Sequence, residues 1–468
     1  MAQDALRSIL PAAGIPAEQA VAVTFTGGRD PVLPTPYRIG IAGAATLAAT
    51  GIAAARLWET RGGAKQAIGV DLRQATASLR SGHYMKLGDG EVSARRNPIM
   101  GVYPTKDGRW SYVHANFPNH RAAALGVLGV PEDRAAVAKA VLSWNALDLE
   151  DAIIAAKGAG GMVRSHAEWA LHPQAAAIAG LPLLEIVKIA DSLPEALPAG
   201  TRPLSGIRVL DLTRVLAGPT CARTLAEHGA DVLKITGAHL PNLGYQEWDT
   251  GHGKLSAQLD LRDPSHVETL RGLVQDADVF SQGYRPGTLG SRGLSPEELA
   301  AIRPGLVYIS LSAFSHAGPW ASRRGFDTVV QSVSGITARQ AEVIPADSPQ
   351  FYPVSAIDYC TGYLMAFGAM EALRRRATEG GSWLVRISLA QVGKWIVDLG
   401  QETEAAARAA PTEFTPAELA SWSMVSQTPS GALWHLKPVV ILSETPAHWS
   451  RPSVPLGYHQ PVWPPRGG

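Results

Sequence analysis

An α/β fold is predicted for this 468-residue chain: a parallel Rossmann-like sheet domain in the C-terminal half, preceded by a smaller mixed α/β domain. Three observations predict it. From residue 207 onward, apolar runs of strand length alternate with amphipathic stretches of helix length, joined by short loops, which is the pattern of a parallel sheet covered by helices. Residues 76–191 mix short strand-like and helical stretches without that regularity. Between the two, SLPEALPAGTRPLSG (192–206) is rich in Pro, Ser and Gly and reads as a linker.

Taken in order, residues 1–75 hold a short leader, a Pro-bearing turn and the stretch IGIAGAATLAATGIAAARL (39–57). That stretch is long enough to invite a membrane assignment, but Ala, Gly and Thr dominate it, and such a segment inserts far less readily than a Leu/Ile/Val span. It is read as a helix packed closely against neighbours. The turn ETRGGAKQ and the strand AIGVDL follow. In 76–191, WSYVHANF reads as strand, and RAAVAKAVLSW and ALDLEDAIIAAKG as helices. After the linker come the strand IRVLDL, a helix closed by Gly229, and the strands ADVLKI and SAQLDL. The helix HVETLRGLVQDA, the strand DVFSQG, the helix SPEELAAI and the strand LVYISLSAF complete the alternation, within a sheet domain drawn at 207–395. Residues 396–468 form a C-terminal extension. One echo crosses the chain: small-residue helix, charged patch, Gly-Gly turn and alternating strand occur at 40–72 and again at 362–391, so the chain carries two copies of one helix–strand unit.

Composition narrows the function classes. Hydrophobic residues are 46% and charged residues 18%, and the net charge of +1 argues against a nucleic-acid surface. Two cysteines, Cys221 and Cys360, make neither a disulfide framework nor a cysteine zinc site. The start MAQDALRSIL lacks signal-peptide features, and a cytoplasmic setting is expected. The pairs His114/His120 and His166/His172 lack ligand-like spacing, so no metal site is expected. Neither a Walker loop nor a G-x-S-x-G elbow occurs.

The segment LSGIRVLDLTRVLAGPTCARTLAEHGADVLKI (204–235) resembles the opening of class III CoA-transferases of the CaiB/BaiF type. Five further family-like pieces follow in the family's order: GKLSAQLDL (253–261), ADVFSQGYRPGTLGSRGL (277–294), LVYISLSAFSHAGPW (306–320), GFDTVVQSVSGI (325–336) and IDYCTGYLMAFGAM (357–370). The tail VVILSETPAHWSRPSVPLGYH (439–459) resembles the family's closing segment. In the first half, DGRWSYVHANFPNHRAAALGVLGV and MVRSHAEWALHPQ are similar to the family's smaller domain, which stands ahead of the sheet domain here, a permuted order.

The resemblance implies a CoA transferase that moves coenzyme A between carboxylic acids, with acyl-CoA and a small carboxylic acid as substrates and no permanently bound cofactor. Asp358 takes the position of the family's nucleophilic aspartate; by position alone it reads first as an N-terminal cap of its helix. Leu216 and Ala217, in the loop between strand and helix, are implied in contact with CoA. Lys254, Arg292 and Arg324 are implied phosphate partners, and Gly283 and Tyr284 are implied beside the adenine. Thr236 and Gly237 replace the acidic residue and nearby arginine that the family commonly has after the strand matching ADVLKI, which thins the nucleotide site. Phe326 stands where related racemases carry a proton-moving histidine, so racemization by that pair is not expected. An isomerase with another partner acid, or a non-catalytic CoA-binding protein, are the alternatives. No nucleic acid, no membrane and a homodimer complete the expectations.

Overall fold

The computed structural model describes residues 1–88, 90–92 and 97–466. Its largest sheet has seven strands: β1 (Glu185–Ala190), β2 (Arg208–Asp211), β3 (Asp231–Thr236), β4 (Lys254–Gln258), β5 (Val279–Gln282), β6 (Val307–Ser312) and β7 (Ser382–Ser388). Their order is β4-β3-β2-β5-β6-β7-β1. Strands β2–β7 are parallel and β1 is antiparallel to β7. The inner strands are buried on both faces, which is why IRVLDL and DVFSQG are near-continuous apolar runs rather than alternating ones. From β2 the chain steps outward to β3 on one side and later to β5 on the other. This reversal leaves a crevice beyond the carboxyl ends of the strands, where ligands of open α/β sheets bind.

Strand β1 was not foreseen. It lies at the end of the region assigned to the small domain, yet it closes the edge of the large sheet, because LEIVKIA offers backbone groups to the unpaired side of β7. The Pro-rich stretch 192–206 carries no helix or strand, as expected, but it is not a loose tether. The Arg61 guanidinium donates to the carbonyls of Pro203 and Ser205 at 2.8 and 2.7 Å, and Gly381 N–H to Ser192 O at 3.1 Å.

Five helices position the site: α1 (Ile39–Thr60), α2 (Pro118–Leu128), α3 (Ala217–Glu227), α4 (Asp327–Val333) and α5 (Ala356–Glu379). The Ala/Gly stretch forms α1, long and apolar enough to cross a membrane by length and composition but almost wholly buried inside the protein. Small side chains let it pack flat against α5 and against the helix Leu72–Ser78. Its own chain covers this helix on several sides. On the far face of α5, Gly362 meets α3 so closely that a Cβ there would lie 2.5 Å from Ala217 O.

The C-terminal extension is woven through both halves. Its hairpin, Ser423–Thr428 with Gly431–Leu436, pairs with Lys86–Leu87, and Ile441–Leu442 pairs with Ile68–Asp71 beside Val23–Thr26. The tail then returns to the main sheet, where Ser256 N–H donates to His459 Nδ1 at 3.1 Å.

Candidate functional site

At the carboxyl ends of the strands lies a cavity of about 840 Å³. Its walls come from the loops after β2, β3, β5 and β6, from the starts of α3 and α5, and from Phe117–His120 at the start of α2. The structure thus brings a segment of the first half onto a site otherwise built by the second.

Asp358 is on this wall, in the first turn of α5 and about 9% exposed. Its amide donates to Asp327 Oδ2 at 3.0 Å. Asp327 heads α4; its other oxygen accepts from Gln331 Nε2, whose Oε1 in turn accepts from Tyr352 N–H at 2.9 Å. The position at a helix N-terminus favours an ionised Asp358, but burial first and the Asp327 carboxylate second push its pKa well above the usual carboxylate range. Asp358 does not cap its own helix: the carboxylate that does so belongs to Asp327.

The loop after β2 delivers Arg214, Val215, Leu216 and Ala217 to the cavity. Gly218 is obligatory there, since a Cβ would meet Thr213 Cβ at 2.3 Å. Val215 is held at φ 73°, a conformation that β-branched residues rarely adopt. Arg214 is fixed by donating to Pro241 O and by lying 5.7 Å from the Phe117 ring.

Lys254 is the clearest departure from expectation. It does not line the cavity: it is buried beneath the loop, with Nζ donating to Asp211 Oδ2 and to Pro219 O, both at 2.8 Å. Burial works to raise the Asp211 carboxyl, but Lys254 and Lys234 outweigh it and hold it below its ordinary range. The resemblance implies a phosphate partner; the inward pleat at that position and a carboxylate on β2 turn the ammonium into the protein. Lys254 supports the loop from below.

Gly283 and Tyr284 both line the cavity, after β5. Glycine is not forced at 283, where a Cβ would make ordinary contact with Leu311 at 3.5 Å. Arg324 is on the wall, and Arg285 faces the same space. Burial first, then the Arg285 charge, lowers Arg324 from its ordinary value; neither has a carboxylate partner among the described residues. Arg292 lines a smaller recess of about 240 Å³ that shares Leu212, Tyr284 and Thr288 with the main cavity, and its guanidinium is committed to Leu261 O and Thr288 O.

Sequence reasoning passed over Asp327, Arg285 and His120 as site residues. The first two lie in motifs already marked, GFD and GYRPG, and their neighbours were chosen in their place. No sequence signal links His120 to Asp358, since they are joined only by tertiary packing. His120 is buried, its ring meets Phe326 edge-on at 5.5 Å, and its Nδ1 has no hydrogen-bond partner among the described residues. Burial, then Arg324 and Arg214, push it down to about 4, so the imidazole is neutral at physiological pH.

Comparison with known proteins gives relatives named as CoA-transferases. The chain is similar to an acetyl-coenzyme A transferase of Hypoxylon pulicicidum, 29% identical over 328 residues, covering 65% of this chain and 55% of that protein. It is 34% identical over 203 residues to a succinyl-CoA–D-citramalate CoA-transferase of Chloroflexus aurantiacus, covering 40% and 49%. Among solved structures, it is similar to a CAIB/BAIF family protein from Brucella suis, 28% identical, covering 50% of this chain and 65% of that one, with a TM-score of 0.38. The chain spans about half the length of the curated relatives it matches. The match to the family itself runs over two successive segments, residues 10–193 and 204–421, and the chain belongs to CoA-transferase family III.

Proposed function

We propose that this chain transfers coenzyme A from an acyl-CoA to a small carboxylic acid, with Asp358 as the nucleophile. The observation that carries the reading is the meeting, on one cavity at the strand ends, of an aspartate at a helix start and two arginines, Arg285 and Arg324, without carboxylate partners among the described residues. Family membership and relatives named as CoA-transferases support it. The arginines suit the phosphates of CoA.

The Asp358 carboxylate attacks the thioester carbonyl and expels the CoA thiolate, forming a mixed anhydride. The thiolate attacks the aspartyl carbonyl of that anhydride, releasing the donor acid as carboxylate and leaving an aspartyl–CoA thioester. The acceptor carboxylate attacks this thioester, again expelling the thiolate, and forms the second anhydride. Attack of the thiolate on its acyl carbonyl yields the new acyl-CoA and regenerates Asp358. Each thiolate expelled is consumed in the next step, so no outside reactant is needed. Trapping tests the scheme: hydroxylamine added with acyl-CoA should convert Asp358 to the hydroxamate, and an unmodified Asp358 in protein that still exchanges CoA overturns it.

One observation favours a second reading. His120 and Asp358 line the same cavity, and an imidazole and a carboxyl group facing one cavity are the equipment of a two-base isomerase. Exchange of the acyl α-proton with deuterated water, lost in both Asp358→Asn and His120→Ala, would favour it over transfer.

A further inference from the structure

The two family segments contain the same structural unit, and only one of them carries a carboxylate in the reactive position. In the second segment, β6 leads through a longer connection, which holds α4 with Asp327 at its head and the helix Ile336–Val343, to α5 and on to β7, the parallel neighbour of β6. In the first, the strand Val23–Thr26 leads through a loop bearing Asp30 to α1 and on to Ile68–Asp71, parallel to Val23–Thr26.

The agreement extends to single residues. The residues preceding the two helices have nearly the same backbone, φ −81° and ψ 58° at Arg38, φ −87° and ψ 60° at Ser355. After each second strand a further helix starts, capped by Asp71 onto Gln74 N–H and by Ser388 onto Gln391 N–H. Both pairs, Arg38/Ser355 and Asp71/Ser388, are separated by 317 positions. In that register the residue opposite Asp358 is Ile41. The Ile41 amide donates to Asp30 Oδ2 at 2.7 Å, just as the Asp358 amide donates to Asp327 Oδ2 at 3.0 Å. The capping aspartate is present twice and the second aspartate once. Matching the Gly-Gly turns instead sets Gly40 against Asp358, with the same result, because the first acidic residue in α1 is Glu59, near its far end.

The surroundings differ in the same sense. Asp30 is about 2% exposed, and a Cβ on Gly40 would lie 2.6 Å from Asp30 Oδ1 and 2.7 Å from Thr76 Oγ1, so no side chain or ligand enters there. A groove of about 430 Å³ passes Ile41, but the arginine on it, Arg38, is held by Glu402 and Leu399 O at 2.8 and 2.7 Å, and two aspartates, Asp4 and Asp398, share the wall. It offers a phosphate no unpaired cation.

We infer that the chain carries one reactive centre, and that the first segment holds a closed, non-reactive copy of it whose Asp30 is a structural cap. The first segment contributes to the one centre through Phe117–His120. The inference rests on the proposed function only for the identity of Asp358 as the reactive carboxyl.

Two measurements test it on the full chain. The folded protein is treated with a small uncharged diazoacetamide, which esterifies protonated carboxyl groups, and the sites are mapped by peptide mass spectrometry. Asp358 should be esterified and Asp30 protected at least tenfold relative to urea-unfolded protein; esterification of Asp30 at the rate of Asp358 overturns the inference. Equilibrium dialysis with CoA should saturate at one molecule per chain, and saturation at two also overturns it. Absence of any CoA binding would instead refute the proposed function, and the esterification pattern would still decide whether the first centre is closed.

Discussion

The Asp358 amide and the Asp327 carboxylate meet at 3.0 Å, so one acidic residue fixes the helix start on which another stands. The contact serves the backbone of Asp358 and opposes its side chain. Asp327 satisfies an N–H that the first turn of α5 would otherwise leave open, and its charge makes ionisation of the neighbouring carboxyl harder. The same residue therefore positions Asp358 and adds to the larger effect of burial in raising the pH at which its carboxyl ionises.

A pH dependence follows from that. Asp358 is protonated below its raised pKa, so exchange should rise with pH to a plateau reached above the ordinary carboxylate range. Asp327→Asn should move the rise to lower pH; a profile unchanged by that substitution counts against the coupling. Asp358→Asn should abolish exchange and keep CoA affinity. A carboxyl whose folded pKa is raised gives stability that is present below its unfolded pKa and lost as pH rises through the folded pKa. The Asn variant should therefore melt higher than wild type at pH near 8, with a gain that shrinks on acidification.

Arg285→Ala and Arg324→Ala should each weaken CoA binding by about 1.5–3 kcal/mol, the range for a hydrogen bond to a charged group. Neither should alter binding of pantetheine, which has no phosphate. Calorimetric titration with both ligands reads the difference, and equal losses for the two would remove the phosphate role.

Lys254→Met should act on stability. It leaves the Asp211 carboxylate buried without its ammonium partner, a cost of about 3–5 kcal/mol. Urea unfolding should show that loss, and Asp211→Asn in the Lys254→Met background should restore part of it. A stable Lys254→Met protein with weakened CoA binding would return Lys254 to the ligand.

Gly362→Ala probes the support of the site. The added methyl would press on Ala217 O at 2.5 Å and on Thr220 Cβ at 2.7 Å, one helical turn beyond Asp358. Overpacking of this kind costs about 1–3 kcal/mol. The melting temperature should fall and exchange with it, because the α3–α5 contact sets Asp358 against the Leu216 loop; unchanged melting would show that the helices part freely.

The sequence by itself determined the parallel alternation after residue 207, the family resemblance and the repeated helix–strand unit, and it marked Asp358 as a candidate. Those features are written in local periodicity and in short motifs, each contained within a few tens of residues. Tertiary structure decided what distance in sequence conceals. Lys254 turned inward because a carboxylate on β2 lay beneath it. Residues 185–190 joined the large sheet because β7 had an unpaired edge. His120 came to share a cavity with Asp358, more than two hundred residues away. Ile41 was recognisable as the counterpart of Asp358 only when the capping hydrogen bonds of Asp30 and Asp327 were compared. Hydrogen bonding and burial depend on which groups meet in space, and a linear pattern specifies only which faces are available to meet.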